Sequence, residues 1–177
     1  SLPDALPISW VNYIDTALPY HMGESEPFLG RALAGGYREK VRLATKLPPW
    51  SVRKPEDMDR ILSSQIERMA AGRIDYYLVH ALNRKYWDRM RDLGVREFLD
   101  RAKADGRITH AGFSYHGDRD TFREIVDGYD WDFCQIQYNY LDRENQAGLA
   151  GLRYAASKNL GVVIMEPLRG GSLAGTV

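Results

Sequence analysis

The chain has 177 residues, 44% of them hydrophobic, with 24 basic and 24 acidic side chains and a formal net charge of zero. That length suits one domain with a sizeable core, and the charge balance speaks against a nucleic-acid groove or an anionic membrane surface as partner. The single cysteine, Cys134, excludes an internal disulfide and fits a reducing, cytoplasmic setting, while no apolar run reaches the roughly 18–20 residues of a membrane span.

Residues 1–9 lack a basic n-region and contain two prolines, so they do not read as a signal peptide. The run Asp4-Ala5-Leu6-Pro7-Ile8 back-translates to a stretch resembling the end of a short-read library adapter. Residues 1–9 are therefore expected to be a non-native segment, and the fold is sought in 10–177. Beyond them, short β-branched and aromatic runs alternate with amphipathic stretches, the pattern of parallel βα units. A strand is predicted over 12–16 and a helix over 24–33. A second strand follows over 41–46. The next helix spans 55–71, where Met58, Ile61, Leu62, Ile66 and Met69 fall at helical spacing, Pro55 suits the first turn and Gly72 ends it. Then come a strand over 74–80, a helix over about 85–103, a strand over 108–114 and a helix over 119–127. The last three predicted elements are a strand over 132–139, a helix over 143–158 and a strand over 161–167. Several strands are nearly continuous in apolar residues, as in Gly161-Val162-Val163-Ile164-Met165, which is how parallel strands covered on both faces read.

Six βα units leave an open doubly wound sheet or a barrel. The open nucleotide-binding sheet carries Gly-x-Gly-x-x-Gly after an early strand, and this chain has none. Asp15, Lys46, His80, Ser114 and either Gln135 or Gln137 instead fall at or near the C-terminal ends of successive predicted strands. A (β/α)₈ TIM barrel gathers those ends at one mouth, where its active sites lie. The expected fold is α/β, a (β/α)₈ barrel truncated to about six βα units over residues 10–177. His21, His110, His116 and Cys134 match no metal-ligand spacing, and no metal site is expected.

The run Val11-Asn12-Tyr13-Ile14-Asp15-Thr16-Ala17, with Tyr20 and Gly23-Glu24-Ser25-Glu26, closely resembles the signature of the aldo-keto reductase family. Ala44-Thr45-Lys46 resembles its lysine strand, Asp75-Tyr76-Tyr77-Leu78-Val79-His80 its histidine strand, and Gly112-Phe113-Ser114 and Gln135-Ile136-Gln137-Tyr138-Asn139 its two later nicotinamide-facing strands. Glu166-Pro167-Leu168 with Gly170-Gly171 is similar to its Pro-Leu-x-x-Gly loop. The resemblance runs from residue 11 to 173.

That resemblance implies a carbonyl reductase using NADPH, with NADH as the alternative, and a small-molecule aldehyde or ketone as substrate. Its implied tetrad is Asp15, Tyr20, Lys46 and His80. Tyr20 would donate the proton, and the Lys46 ammonium would favour its release by stabilising phenolate. Asp15 would pair with Lys46, whose charge would otherwise be costly inside the barrel. His80 would donate to the substrate oxygen. Ser114 and Gln135 would hold the nicotinamide carboxamide, with Gln137 as the alternative if the register slips by two. Met165 would pack on the ring through its sulfur where many members have tyrosine, and Leu168 and Gly170 would lie in the loop beside the pyrophosphate. Tyr115 stands where many members have asparagine. The match leaves the family's first and last strands and a C-terminal basic segment unaccounted for. It also points to a subgroup whose full-length members carry a C-terminal ferredoxin-like iron–sulfur domain. A cofactor-sensing regulatory subunit and an electron-transfer subunit partnered with that domain are the competing readings.

Overall fold

The computed structural model describes residues 11–175, so the segment expected to be non-native lies outside the described residues. Six parallel strands form one sheet in chain order: β1 (Tyr13–Asp15), β2 (Arg42–Leu47), β3 (Ile74–Leu82), β4 (Ile108–Tyr115), β5 (Phe133–Gln137) and β6 (Gly161–Met165). Between them run α1 (Ser25–Ala32), α2 (Glu56–Arg68), α3 (Arg84–Asp92), α4 (Val95–Ala104), α5 (Arg119–Asp127) and α6 (Gly148–Ser157). Sequential order in a parallel sheet is the connectivity of an α/β barrel, whereas a doubly wound sheet reverses order at a switch point.

The sheet is curled into a half-barrel. Gln135 on β5 reaches across to Asp15 on β1, Nε2 to Oδ2 at 3.1 Å. Lower down, the Tyr76 ring on β3 meets Tyr13 of β1 at 5.4 Å between centroids and Phe133 of β5 at 5.1 Å. Side chains alternate across each strand, so the inner face carries Ala44, Leu78 and Phe133, with Tyr13, Tyr76 and Val163 packed on them. The outer face carries Leu43, Leu47, Tyr77, Val79, Phe113 and Ile136 into the larger core beneath the helices. Register explains one glycine. Gly112 pairs with Phe133, and a Cβ on Gly112 would lie 2.5 Å from the Phe133 ring.

The predicted strands and helices are all present, with two corrections. The single helix expected over 85–103 is two, because Gly94 takes a left-handed conformation (φ +79°) and closes α3 before α4 begins. The helix expected from 143 starts at Gly148. The Asn139 side-chain oxygen accepts from the backbone N–H groups of Leu141 and Asp142, so the residues after β5 fold into an Asx turn rather than a helix. Two helix starts carry side-chain caps: Asn83 accepts from the Tyr86 N–H at 3.0 Å at α3, and Asp118 from the Thr121 N–H at 2.8 Å at α5. Among the described residues, no helix is long and apolar enough to cross a membrane.

Candidate active site

Four inward side chains meet at the C-terminal ends of β1, β2 and β3 and in the turn after β1. Lys46 is the centre. Its side chain is 1% exposed, and its ammonium donates to Asp15 Oδ1 at 2.5 Å, to the Thr16 carbonyl at 2.9 Å and to the Tyr20 hydroxyl at 3.1 Å. An ammonium has three protons, and three acceptors surround it, so a charge that burial would make costly is fully satisfied. Asp15 is less enclosed, at 26% exposed, and its second oxygen accepts from Gln135 Nε2.

Tyr20 opens the 3₁₀ turn Tyr20–Gly23, anchored by its backbone N–H donating to the Ala17 carbonyl at 3.0 Å. The ring is 36% exposed, with the Lys46 ammonium 4.7 Å from its centroid. The hydroxyl is thus held by the lysine in a residue that is itself partly exposed. His80 lies edge-on to Tyr20, ring centroids 6.0 Å apart. Its imidazole is pushed down to about 4, mainly by burial and then by the Lys46 charge and His116, and so stays neutral across the neutral range. Its Nδ1 is buried and, among the described residues, has no hydrogen-bond partner. His80 lies within a register shift of β3 between Val79 and Leu82, with Ala81 at φ +49°.

Ser114 and Gln135 are directly paired in register on β4 and β5 and are both buried. The Ser114 oxygen accepts from the Ala81 N–H at 2.7 Å, which leaves its own O–H free to donate. Gln135 donates an amide N–H to Asp15, and its amide oxygen is buried without a partner among the described residues. Gln137, the alternative, also faces inward. It is engaged elsewhere, donating to Asp142 at 3.4 Å and accepting from Asn145 at 3.2 Å. Met165 pairs with Gln137 in register and shares its face of the sheet. Leu168 is exposed, and Gly170 (φ +64°) lies in the 3₁₀ turn Arg169–Gly171 with open space where a Cβ would stand. This loop approaches the β5 side through Arg169, whose guanidinium is 3.5 Å from Asp142.

Sequence reasoning missed Trp50. It follows Pro48-Pro49 in the short 3₁₀ turn after β2, and its exposed ring lies over His80 (5.2 Å between centroids) and Tyr86 (6.1 Å), making one wall of the mouth. A tryptophan just past the lysine strand was the available signal, but only the tertiary contact gives it meaning.

A sequence profile of the aldo/keto reductase family matches residues 9–177. An NADH-specific methylglyoxal reductase of Escherichia coli K12 is 28% identical over 94% of this chain and 55% of its own length. A Klebsiella pneumoniae aldo/keto reductase, solved with NADP and acetate, superposes with a TM-score of 0.74 at 26% identity, covering 92% of this chain and 55% of that one. The holo form of a Bacillus halodurans aldo-keto reductase superposes at 0.78 with 23% identity over 92% of this chain and 54% of that one, a likeness of fold. The chain therefore spans about half the length of the relatives it matches. With the profile covering nearly all of it, this chain belongs to the aldo/keto reductase family.

Proposed function

We propose that this chain carries the carbonyl-reducing centre of an NAD(P)H-dependent oxidoreductase, acting on a small aldehyde or ketone with Tyr20 as proton donor. One observation carries the reading: a single buried ammonium touches a carboxylate, a backbone carbonyl and a phenol at once. A structural ion pair needs only the carboxylate. The phenol is the added partner, and it belongs to a partly exposed residue.

The reduced nicotinamide, when bound, supplies the hydride. The residues present fit its carboxamide. A primary amide has one acceptor oxygen and two N–H donors, while Ser114 offers a free O–H and Gln135 an unpartnered oxygen. Ser114 and Gln135 would therefore fix the ring face, with Met165 packed beside it and Leu168 and Gly170 along the phosphates. Tyr20 then gives its proton to the substrate oxygen, and Lys46 stabilises the phenolate left behind. Asp15 keeps Lys46 in place. His80, neutral in this environment, donates a hydrogen bond that aligns the carbonyl. The Escherichia coli relative is named for NADH and a Klebsiella pneumoniae structure at 25% identity holds NADPH; both support a nicotinamide, with NADPH as the first choice. The single cysteine, Cys134, is compatible with a reducing, cytoplasmic setting, which this reading adopts.

The test is Tyr20→Phe, which removes one hydroxyl. Single-turnover oxidation of reduced nicotinamide by an aliphatic aldehyde should slow by about 10²–10⁴-fold, the usual contribution of general acid catalysis. Cofactor binding should be nearly unchanged. Unchanged aldehyde reduction would defeat the reading.

A further inference from the structure

We propose that Glu26 is a positioning residue for the Lys46 ammonium, acting through the strands that carry Asp15 and Lys46; the proposal rests on the carbonyl-reductase reading above. Glu26 lies on α1, 0% exposed, on the far side of the sheet from the mouth. Its Oε1 accepts from the Thr45 hydroxyl at 2.7 Å and from Gln65 Nε2 at 2.7 Å, and its Oε2 lies 2.9 Å from the Arg68 guanidinium. Gln65 also donates to the Lys46 carbonyl at 3.1 Å and accepts from the Tyr77 hydroxyl at 2.9 Å. The residue before Glu26 repeats the pattern at the residue that follows β1: Ser25 shares a 2.8 Å hydrogen bond with Thr16.

Thr16 and Thr45 are the immediate chain neighbours of Asp15 and Lys46. Side chains alternate across a strand, so the dipeptide Ser25-Glu26 grips β1 and β2 from outside at the point where the ion pair projects inside. The grip extends to the lysine itself, because the Thr16 carbonyl is one of its three acceptors and its own carbonyl is bound by Gln65. Packing alone does not account for a carboxylate here. An apolar side chain of similar volume fills such a site without the desolvation cost. A carboxylate adds fixed acceptor geometry, which sets the end of β2 and with it the 3.1 Å reach from Lys46 to the Tyr20 hydroxyl. Misplacement of about 1 Å at a reacting group costs on the order of 10²-fold in rate.

The experiment compares Glu26→Ala and Glu26→Gln with the wild type in the full chain, by single-turnover nicotinamide oxidation with an aliphatic aldehyde and with a quinone. A quinone accepts hydride with less need of a proton donor. Aldehyde reduction should fall by about 10²-fold in Glu26→Ala, quinone reduction by much less. Glu26→Gln should recover part of the loss, since an amide oxygen still accepts from Thr45 and Gln65. Neither change should slow aldehyde reduction further in a Tyr20→Phe background, because both act through one proton transfer. Equal losses for both substrates, or full additivity with Tyr20→Phe, would show Glu26 to be merely structural and overturn the proposal. If Glu26→Ala fails to fold, Glu26→Gln carries the same comparison. A cofactor-free readout separates this idea from the reading it rests on. The Nζ nitrogen NMR resonance of Lys46, assigned by its loss in Lys46→Met, should move in Glu26→Gln. An unmoved resonance overturns the positioning role, whereas a wild type inactive on both substrates overturns the reductase reading alone.

Discussion

At the residue scale, the centre is built on one satisfied ammonium. Replacing Lys46 by methionine keeps the length of the side chain and removes every donor at once. Asp15 then keeps only Gln135, and Tyr20 loses its only charged neighbour within hydrogen-bond reach among the described residues. Lys46→Met is expected to slow aldehyde reduction about as much as Tyr20→Phe, and the double variant should lose little more than either single one, measured by single-turnover rates. His80 yields a second prediction, in stability. Its folded value, about 4, lies below the ordinary histidine value of 6.5, so between those limits the unfolded chain binds more protons than the folded one. Stability is therefore expected to fall as pH drops from about 6.5 towards 4. Replacing His80 by Gln should flatten that dependence, read as the urea midpoint at several pH values across the window. An unchanged slope would mean that the imidazole is not desolvated.

At the scale of elements, each strand has two jobs and its alternation separates them. β2 sends Leu43 and Leu47 outward into the core and Lys46 inward to the site. The inner packing is tight at one position in particular. Phe133 is wedged over Gly112 and against Tyr76, so any side chain on Gly112 must push the ring aside. Gly112→Ala is expected to cost about 1–3 kcal/mol, the usual range for overpacking a filled core, measured by urea denaturation. A neutral result would mean that the ring has room to swing towards the open side of the half-barrel. Helical breaks are set by the same local physics: the left-handed Gly94 divides α3 from α4, and the Asn139 turn delays α6.

At the scale of the whole molecule, the sheet has two edges among the described residues, since β1 pairs only with β2 and β6 only with β5. β6 is Gly-Val-Val-Ile-Met, an apolar strand that pairs on one side only among the described residues. Such edges pair with other chains. Residues 10–177 produced as an isolated polypeptide are thus expected to aggregate or to lack a sharp unfolding transition, checked by light scattering and calorimetry. A monodisperse monomer with cooperative unfolding would show that the edges are tolerated.

The sequence by itself determined the α/β alternation and the strands to within about two residues, and it singled out Asp15, Tyr20, Lys46 and His80 as candidates. Those features are local: apolar runs of strand length, helical periodicity, and a motif whose spacing brings Asp15 and Tyr20 within one turn of each other. Only the tertiary structure separates Gln135 from Gln137: both face the same side of β5, but Gln135 reaches Asp15 across the barrel whereas Gln137 bonds Asp142. It also decided what Glu26 is. In the sequence it is an acidic residue at the start of an amphipathic helix, where the helix dipole alone would explain it. In the fold, α1 packs on α2, and the same carboxylate is buried among Thr45 of β2, Gln65 and Arg68. Contacts between residues 19 and 39 positions apart leave no periodic trace in a chain; they exist only once the sheet has curled and the helices have settled against it.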